Sequence, residues 1–273
     1  MEEKTIIYQD AKIHYRVTGS GKTVILLHGF AEDGDVWRYQ LPALQNNCRL
    51  IIPDIPGSGR SGLIAGANIE TYAEVIKTIL DKELVTVLPA SQTQPRVTII
   101  GHSLGGYITL AFAEKYPNHL RQFGLFHSTA FADSDDKKAA RRKSIDFIHS
   151  NGGAAFLKTS ITGLFTKAFA EKNPGAVASL IERGNQFSSE ALVQYYNAMI
   201  TRPDRGFVLQ NFTGPVLFIM GEHDNAVPLQ SGLRQCYFPR QSHVHILKNS
   251  AHMGMWEEPL LSNEILSRFL ETE

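Results

Sequence analysis

Between Arg96 and Pro117 the chain reads RVTIIGHSLGGYITLAFAEKYP: a short apolar run, a serine between glycines, then a stretch of helical composition. A strand that passes into a helix with almost no loop forces a sharp turn at Gly101-His102-Ser103-Leu104-Gly105. The residues two before and two after the apex must be small for the backbones to approach, and both are glycine. Such a turn exposes the Ser103 hydroxyl, while the first amides of the following helix point to where negative charge would develop on a bound molecule. One segment thus predicts a piece of fold and a nucleophile together.

Other short apolar runs are Val24 to Leu27, Leu50 to Ile52, Phe123 to Phe126, Val216 to Met220 and Val244 to Leu247, with helix-compatible stretches between them. Continuously apolar strands that alternate with helices predict an α/β fold, a mostly parallel sheet covered on both faces. Residues 5–17 instead alternate on each side of Asp10, which predicts a hairpin and an antiparallel edge. Asn68 is a helix cap, followed by Ile69, Tyr72, Ala73, Val75, Ile76, Ile79 and Leu80 at helical spacing.

From about Asp133 to Arg205 the strand pattern stops and polar, helix-compatible segments take over. The reading is a helical cap inserted at 131–208 into a core formed by 1–130 and 209–273. The mixed-sign run DSDDKKAARRK is read as a solvated face laced with ion pairs rather than a basic recognition patch. Aromatic residues of the insertion, Phe147, Phe156, Phe165, Phe169, Phe187, Tyr195 and Tyr196, are read as its core, a few facing a pocket.

Of 273 residues, 27 are Lys or Arg and 27 Asp or Glu, so no general field favours a nucleic acid or an anionic membrane, and neither is expected as a partner. Cys48 and Cys236 are far apart, without metal-ligand spacing, which excludes a zinc motif and a disulfide framework. The acidic opening MEEKTIIYQDAKIHYRV lacks a long apolar core, and no run of about 18 apolar residues follows. A cytoplasmic location is expected, and the sequon Asn211-Phe212-Thr213 is then coincidental.

At the serine turn the chain resembles the α/β-hydrolase superfamily, whose members carry the nucleophile on such an elbow in the triad order Ser, Asp or Glu, His. The segment Gly221-Glu222-His223-Asp224-Asn225-Ala226-Val227-Pro228, after an apolar strand, is similar to the family's acid loop. The resemblance therefore implies Asp224 as the orienting acid, with Asp133, past an earlier strand, as the alternative. Beyond Asp224 the candidate bases are His243, His245 and His252. The first two alternate about Val244 as strand decoration, whereas Asn249-Ser250-Ala251-His252-Met253 resembles the family's histidine loop, with Ala251 where glycine is common. His252 is the implied base. His28-Gly29-Phe30 resembles the family's oxyanion motif, so the Phe30 and Leu104 amides are the implied donors, Gly29 allowing close approach and both side chains bordering the pocket. Asp54-Ile55-Pro56-Gly57-Ser58-Gly59-Arg60-Ser61 resembles a structural loop of the family, with Ser58 replacing a frequent histidine.

Three signals mislead. Gly57 to Gly62 satisfies GxGxxG, but Ile55-Pro56 separates it from the strand and no helix opens at its end. Gly19-Ser20-Gly21-Lys22-Thr23 ends like a phosphate loop without its first glycine. His102, adjacent to the nucleophile, points away from it and is assigned a packing role.

What the resemblance implies is a serine hydrolase, carboxylesterase-like, that cleaves an ester of a small or medium, uncharged and largely apolar substrate through an acyl-enzyme. It implies no metal and no organic cofactor, and a small molecule as the partner. C–C bond hydrolases, thioesterases and perhydrolases use the same residues, and a ligand receptor with slow turnover is the reading from another class. Serine in place of aspartate at the elbow argues against dehalogenation and epoxide opening.

Overall fold

The structure is a computed structural model describing residues 1–85 and 96–272. Its strands are β1 (Glu2–Tyr8), β2 (Ala11–Thr18), β3 (Lys22–Leu27), β4 (Cys48–Pro53), β5 (Val97–His102), β6 (Leu120–Phe126), β7 (Val216–Gly221) and β8 (Ser242–Leu247). They form one sheet in the order β1-β2-β4-β3-β5-β6-β7-β8. Strands β3 to β8 run parallel, and the β1–β2 hairpin joins antiparallel to β4. Every apolar run read as a strand is one, and residues 5–17 are the antiparallel edge. The hairpin turns at Gln9 and Asp10, both at positive φ (45° and 65°), the backbone sense that matches strand twist in a two-residue turn.

Helix α1 (Leu41–Leu44) leads into β4, α2 (Ile69–Val85) precedes β5, and α3 (Leu104–Lys115) follows it. The Asn68 side chain accepts the Thr71 N–H at 2.9 Å, capping α2, and the apolar stripe read from its sequence is buried. In α3 every residue from Leu104 to Ala113 is buried. A helix apolar all round needs partners on all sides.

Between β6 and β7 lie α4 (Asp135–Asn151), α5 (Gly153–Ser160), α6 (Lys167–Lys172), α7 (Pro174–Gly184), α8 (Ser189–Thr201) and α9 (Gly206–Asn211). Polar staples join them to the sheet side: the Tyr195 hydroxyl donates to Pro56 O at 2.8 Å and lies 2.6 Å from Ser58 Oγ, and Arg205 reaches Glu70 and Glu114. The charged run is only partly the solvated face expected. Asp133 is buried between Arg141 and Arg202, and Lys137 and Arg141, one turn apart on α4, face inward. An i,i+4 pair shares a helix face, and this face turns toward the sheet. Helix α10 (Leu229–Leu233) precedes β8, and α11 (Gly254–Glu257) and α12 (Pro259–Glu271) follow it. Among the described residues no helix is long and apolar enough to cross a membrane.

The strand order decides where a site can form. From β3 the chain passes to β4 on one side and then to β5 on the other, so the loops leaving β3 and β5 diverge and leave a crevice at the strands' carboxyl ends. Leu27 pairs with Gly101 and Gly221 with Leu247. The segments after β3 and β5, and those after β7 and β8, therefore emerge side by side.

Candidate active site

Ser103 has φ 50° and ψ −113°, a backbone state that costs a non-glycine residue about 1–3 kcal/mol. Its surroundings enforce it. The Ser103 N–H donates to Phe126 O at 2.9 Å, and its carbonyl accepts from Ser128 Oγ at 2.8 Å and from the Gly106 N–H at 2.9 Å. A Cβ at Gly101 would lie 2.3 Å from Gly105 O, and one at Gly105 would lie 2.6 Å from Leu27 O, so the elbow closes only with glycine at both places. At Gly29 a Cβ would meet His102 Nδ1 at 2.9 Å and Ser103 Cβ at 3.1 Å, which is the close approach its motif suggested.

Asp224 and His252 arrive from the loops after β7 and β8. His252 Nδ1 lies 2.8 Å from Asp224 Oδ2, while Asp224 Oδ1 accepts the N–H groups of Ala226 and Val227, each at 2.8 Å. The carboxylate is thereby fixed from both ends. Burial by itself would raise its pKa, but the His252 charge and the hydrogen bonds from His127 and His252 hold it far below the usual carboxylate range. Ser103 and His252 line the same cavity, of about 230 Å³. No Ser103 Oγ–His252 Nε2 hydrogen bond is formed, a looseness common before a substrate closes the gap.

The alternative acid, Asp133, is excluded from this cluster: both its oxygens are engaged by Arg141 and Arg202. His243 and His245 lie on β8, as read. Ala251 is not at positive φ, so its side chain causes no strain where glycine is common. Glu257 anchors the histidine loop, accepting the Ala251 N–H at 2.8 Å and, through its other oxygen, the Thr166 N–H at 2.7 Å.

Among the described residues the amides of Phe30 and Leu104 have no acceptor. The Phe30 ring borders the cavity and stacks on Tyr196, centroids 4.5 Å apart. The Leu104 side chain does not border it. It is fully buried in the core, like the rest of the first turn of α3, which corrects the expectation of two apolar walls at this point.

Four charged or ionisable residues at the site carry no sequence signal. His127 Nδ1 lies 3.1 Å from the same Asp224 Oδ2, and its Nε2 accepts the Gly254 N–H at 3.2 Å. Burial pushes the His127 pKa down to about 4, so the ring is neutral at pH 7; with Nε2 accepting from Gly254 its one N–H belongs on Nδ1, toward Asp224, although the Gly221 N–H also lies 3.1 Å from that atom. Glu32 lies 2.9 Å from His102 Nδ1, and His102 Nε2 faces His252 O at 3.0 Å. Two acceptors on two ring nitrogens require an imidazolium. Burial opposes that charge, yet Glu32 raises the His102 pKa, and His102 in turn lowers that of Glu32 against its own burial. His102 does point away from Ser103, but as a charged strut under the His252 loop. Lys137 and Arg141 complete the set, on a helix whose composition suggested solvent.

His127, Asp224 and His252 bring ligand-type atoms within 4.8 Å of one another, the one such group among the described residues. Their hydrogen bonds to each other and to Gly254 account for the atoms that would bind an ion.

The profile of the alpha/beta hydrolase fold family matches residues 22–259. A curated 2-hydroxy-6-oxononadienedioate/2-hydroxy-6-oxononatrienedioate hydrolase of Paraburkholderia phymatum is 25% identical, over 96% of this chain and 91% of the relative. Among solved structures, a thermophilic esterase from Thermogutta terrifontis with malate bound superposes at a TM-score of 0.89, with 24% identity over 99% of this chain and 98% of that one. The enol-lactonase of Burkholderia xenovorans LB400 reaches 0.88, with 19% identity over 98% and 100%. These structural likenesses establish the fold.

Proposed function

The chain is a hydrolase that belongs to the alpha/beta hydrolase fold family, and from that membership we propose that it is a serine hydrolase acting through an acyl-enzyme on an ester of a small acyl compound. His252 withdraws the Ser103 proton while Asp224 holds the imidazole with Nδ1–H toward the carboxylate, leaving Nε2 to act as base. The Ser103 oxygen adds to the carbonyl carbon, and the Phe30 and Leu104 N–H groups receive the negative oxygen. His252 returns the proton to the leaving alcohol, and water then repeats the addition at the acyl-enzyme.

What carries this reading is the 2.8 Å contact between Asp224 and His252 on the wall of a cavity that Ser103 also lines. A second reading, hydrolysis of a C–C bond next to a carbonyl, is favoured by the curated relatives, which match along almost the whole chain. The same residues would serve, with water's hydroxyl ending on the acyl carbon and its proton on the departing carbon.

A fluorophosphonate should label Ser103 and no other serine. Turnover of 4-nitrophenyl esters of graded acyl length, beside turnover of 2-hydroxy-6-oxononadienedioate, then separates the two chemistries. Esters hydrolysed with a sharp optimum of length support the first reading, and selective cleavage of the dioate supports the second. Neither turnover nor labelling would leave the receptor reading.

A further inference from the structure

The cavity beside Ser103 is not the neutral pocket that the sequence suggested. Its walls include apolar side chains, Leu157, Ile161 and Met199 among them, but also Lys137, Arg141 and Glu32, whose carboxylate is taken up by His102 at 2.9 Å and the Gly29 N–H at 2.6 Å. Lys137 Nζ donates to Ala226 O at 2.7 Å and, among the described residues, has no carboxylate partner. Arg141 presents only part of its guanidinium to Asp133, through Nε at 2.6 Å and Nη2 at 3.5 Å. Asp133 is in turn shared with Arg202, whose Nη2 is 3.0 Å from Oδ1. One carboxylate thus serves two guanidiniums, and the ammonium is left with a neutral carbonyl.

A third polar group points the same way. Ser160 lines the cavity, and its Oγ is buried without a hydrogen-bond partner among the described residues. Cations at a dry, apolar wall are unfavourable unless an anion meets them, and an unpaired buried hydroxyl is unfavourable unless an acceptor does. A carboxylate satisfies all three: two acceptor oxygens, one negative charge, and a planar shape that fits an Arg fork.

We propose that Lys137 and Arg141, with Ser160, form a carboxylate-binding subsite in the Ser103 cavity, and that the substrate is a short acyl compound carrying a free carboxylate remote from the scissile carbonyl. This rests on reading the cavity as the hydrolytic site, and it revises the expectation of an uncharged substrate. A half-ester of a short dicarboxylic acid has the required form. Its carbonyl meets Ser103, its methylenes lie on the apolar wall, and its carboxylate reaches α4. The same side chains also select against acyl groups that are apolar to their end, because such groups would bury the Lys137 ammonium without an anionic partner and leave the Arg141 guanidinium only its shared contact with Asp133.

Binding and turnover test the subsite separately. By calorimetry, the Ser103→Ala protein should bind glutarate at least about tenfold more tightly than neutral glutaramide. In Ser103→Ala/Lys137→Met that preference should collapse, and in Ser103→Ala/Lys137→Arg it should persist. The arginine variant keeps the charge and an N–H donor for Ala226 O, and it is the preference for glutarate over glutaramide that reads ligand recognition, because loss of the Lys137–Ala226 tether alone would weaken both ligands alike. On the active protein, glutarate should protect Ser103 from a fluorophosphonate, and the kcat/KM ratio of 4-nitrophenyl hydrogen glutarate to its methyl ester should fall at least about tenfold in Lys137→Met. Equal binding of glutarate and glutaramide, or a preference that survives Lys137→Met, overturns the subsite. Because calorimetry on the Ser103→Ala protein needs no chemistry, it stands even where labelling and turnover refute the serine mechanism.

Discussion

His127 and His252 share one carboxylate oxygen: both Nδ1 atoms converge on Asp224 Oδ2, at 3.1 and 2.8 Å. The second imidazole comes from the left-handed residue that follows β6, at φ 48°, and is completely buried. Its N–H fixes the orientation of the oxygen that in turn orients His252. Replacing His127 by Leu should lower kcat about tenfold with KM little changed, since the loss falls on alignment in the transition state. His127→Asn, which can offer an N–H at a similar position, should recover most of it. Equal losses in both variants would mean that the ring acts only as packing.

The same histidine makes the protein sensitive to acid. Its folded pKa of about 4 lies below the ordinary imidazole value of 6.5, so between those values the unfolded chain binds a proton that the folded one does not. Stability therefore falls as pH drops from 6.5 toward 4, by about 3 kcal/mol from this group. His102 acts with the opposite sign: its raised pKa stabilises fully below 6.5 and ceases to do so as pH rises through the folded value. Urea denaturation across pH 4–7 should show a flatter acid limb in His127→Asn than in the wild type. An unchanged limb would refute the assignment.

Asp133 holds two buried guanidiniums where the helices between β6 and β7 meet the sheet, with 1% of its side chain exposed. Asp133→Asn keeps the shape and removes the charge, leaving Arg141 and Arg202 uncompensated. A loss of about 3–5 kcal/mol is expected from equilibrium denaturation, the range for breaking one side of a buried pair. A change below about 1 kcal/mol would show that water or another acid takes over.

The sequence made legible whatever is written in short range. The elbow was readable because its glycines frame Ser103 at fixed spacing between an apolar run and a helical stretch: Gly101 is demanded by the backbone of Gly105 and Gly106 a few residues on, although Gly105 is demanded by Leu27 and His28 at the end of a distant strand. The hairpin was readable from alternation about Asp10, and the α2 start from Asn68. Asp224 and His252 were reached through family resemblance together with the strands before them. What stayed hidden depends on the direction of a side chain across long separations. Glu32 meets His102 across 70 positions and His127 meets Asp224 across 97, and no local pattern marks either pair. Lys137 and Arg141 were misjudged for a related reason, since a mixed-charge helix has the same composition whether its i,i+4 face meets water or a cavity. The Leu104 side chain was misassigned because a residue can offer its amide to one side and its side chain to the core.

The most direct test of the account is the kcat of Ser103→Ala on whichever ester the wild type turns over fastest, with thermal unfolding measured alongside. The mechanism predicts a fall of roughly 10³- to 10⁶-fold with an unaltered melting transition. Undiminished turnover by a folded Ser103→Ala protein would contradict it.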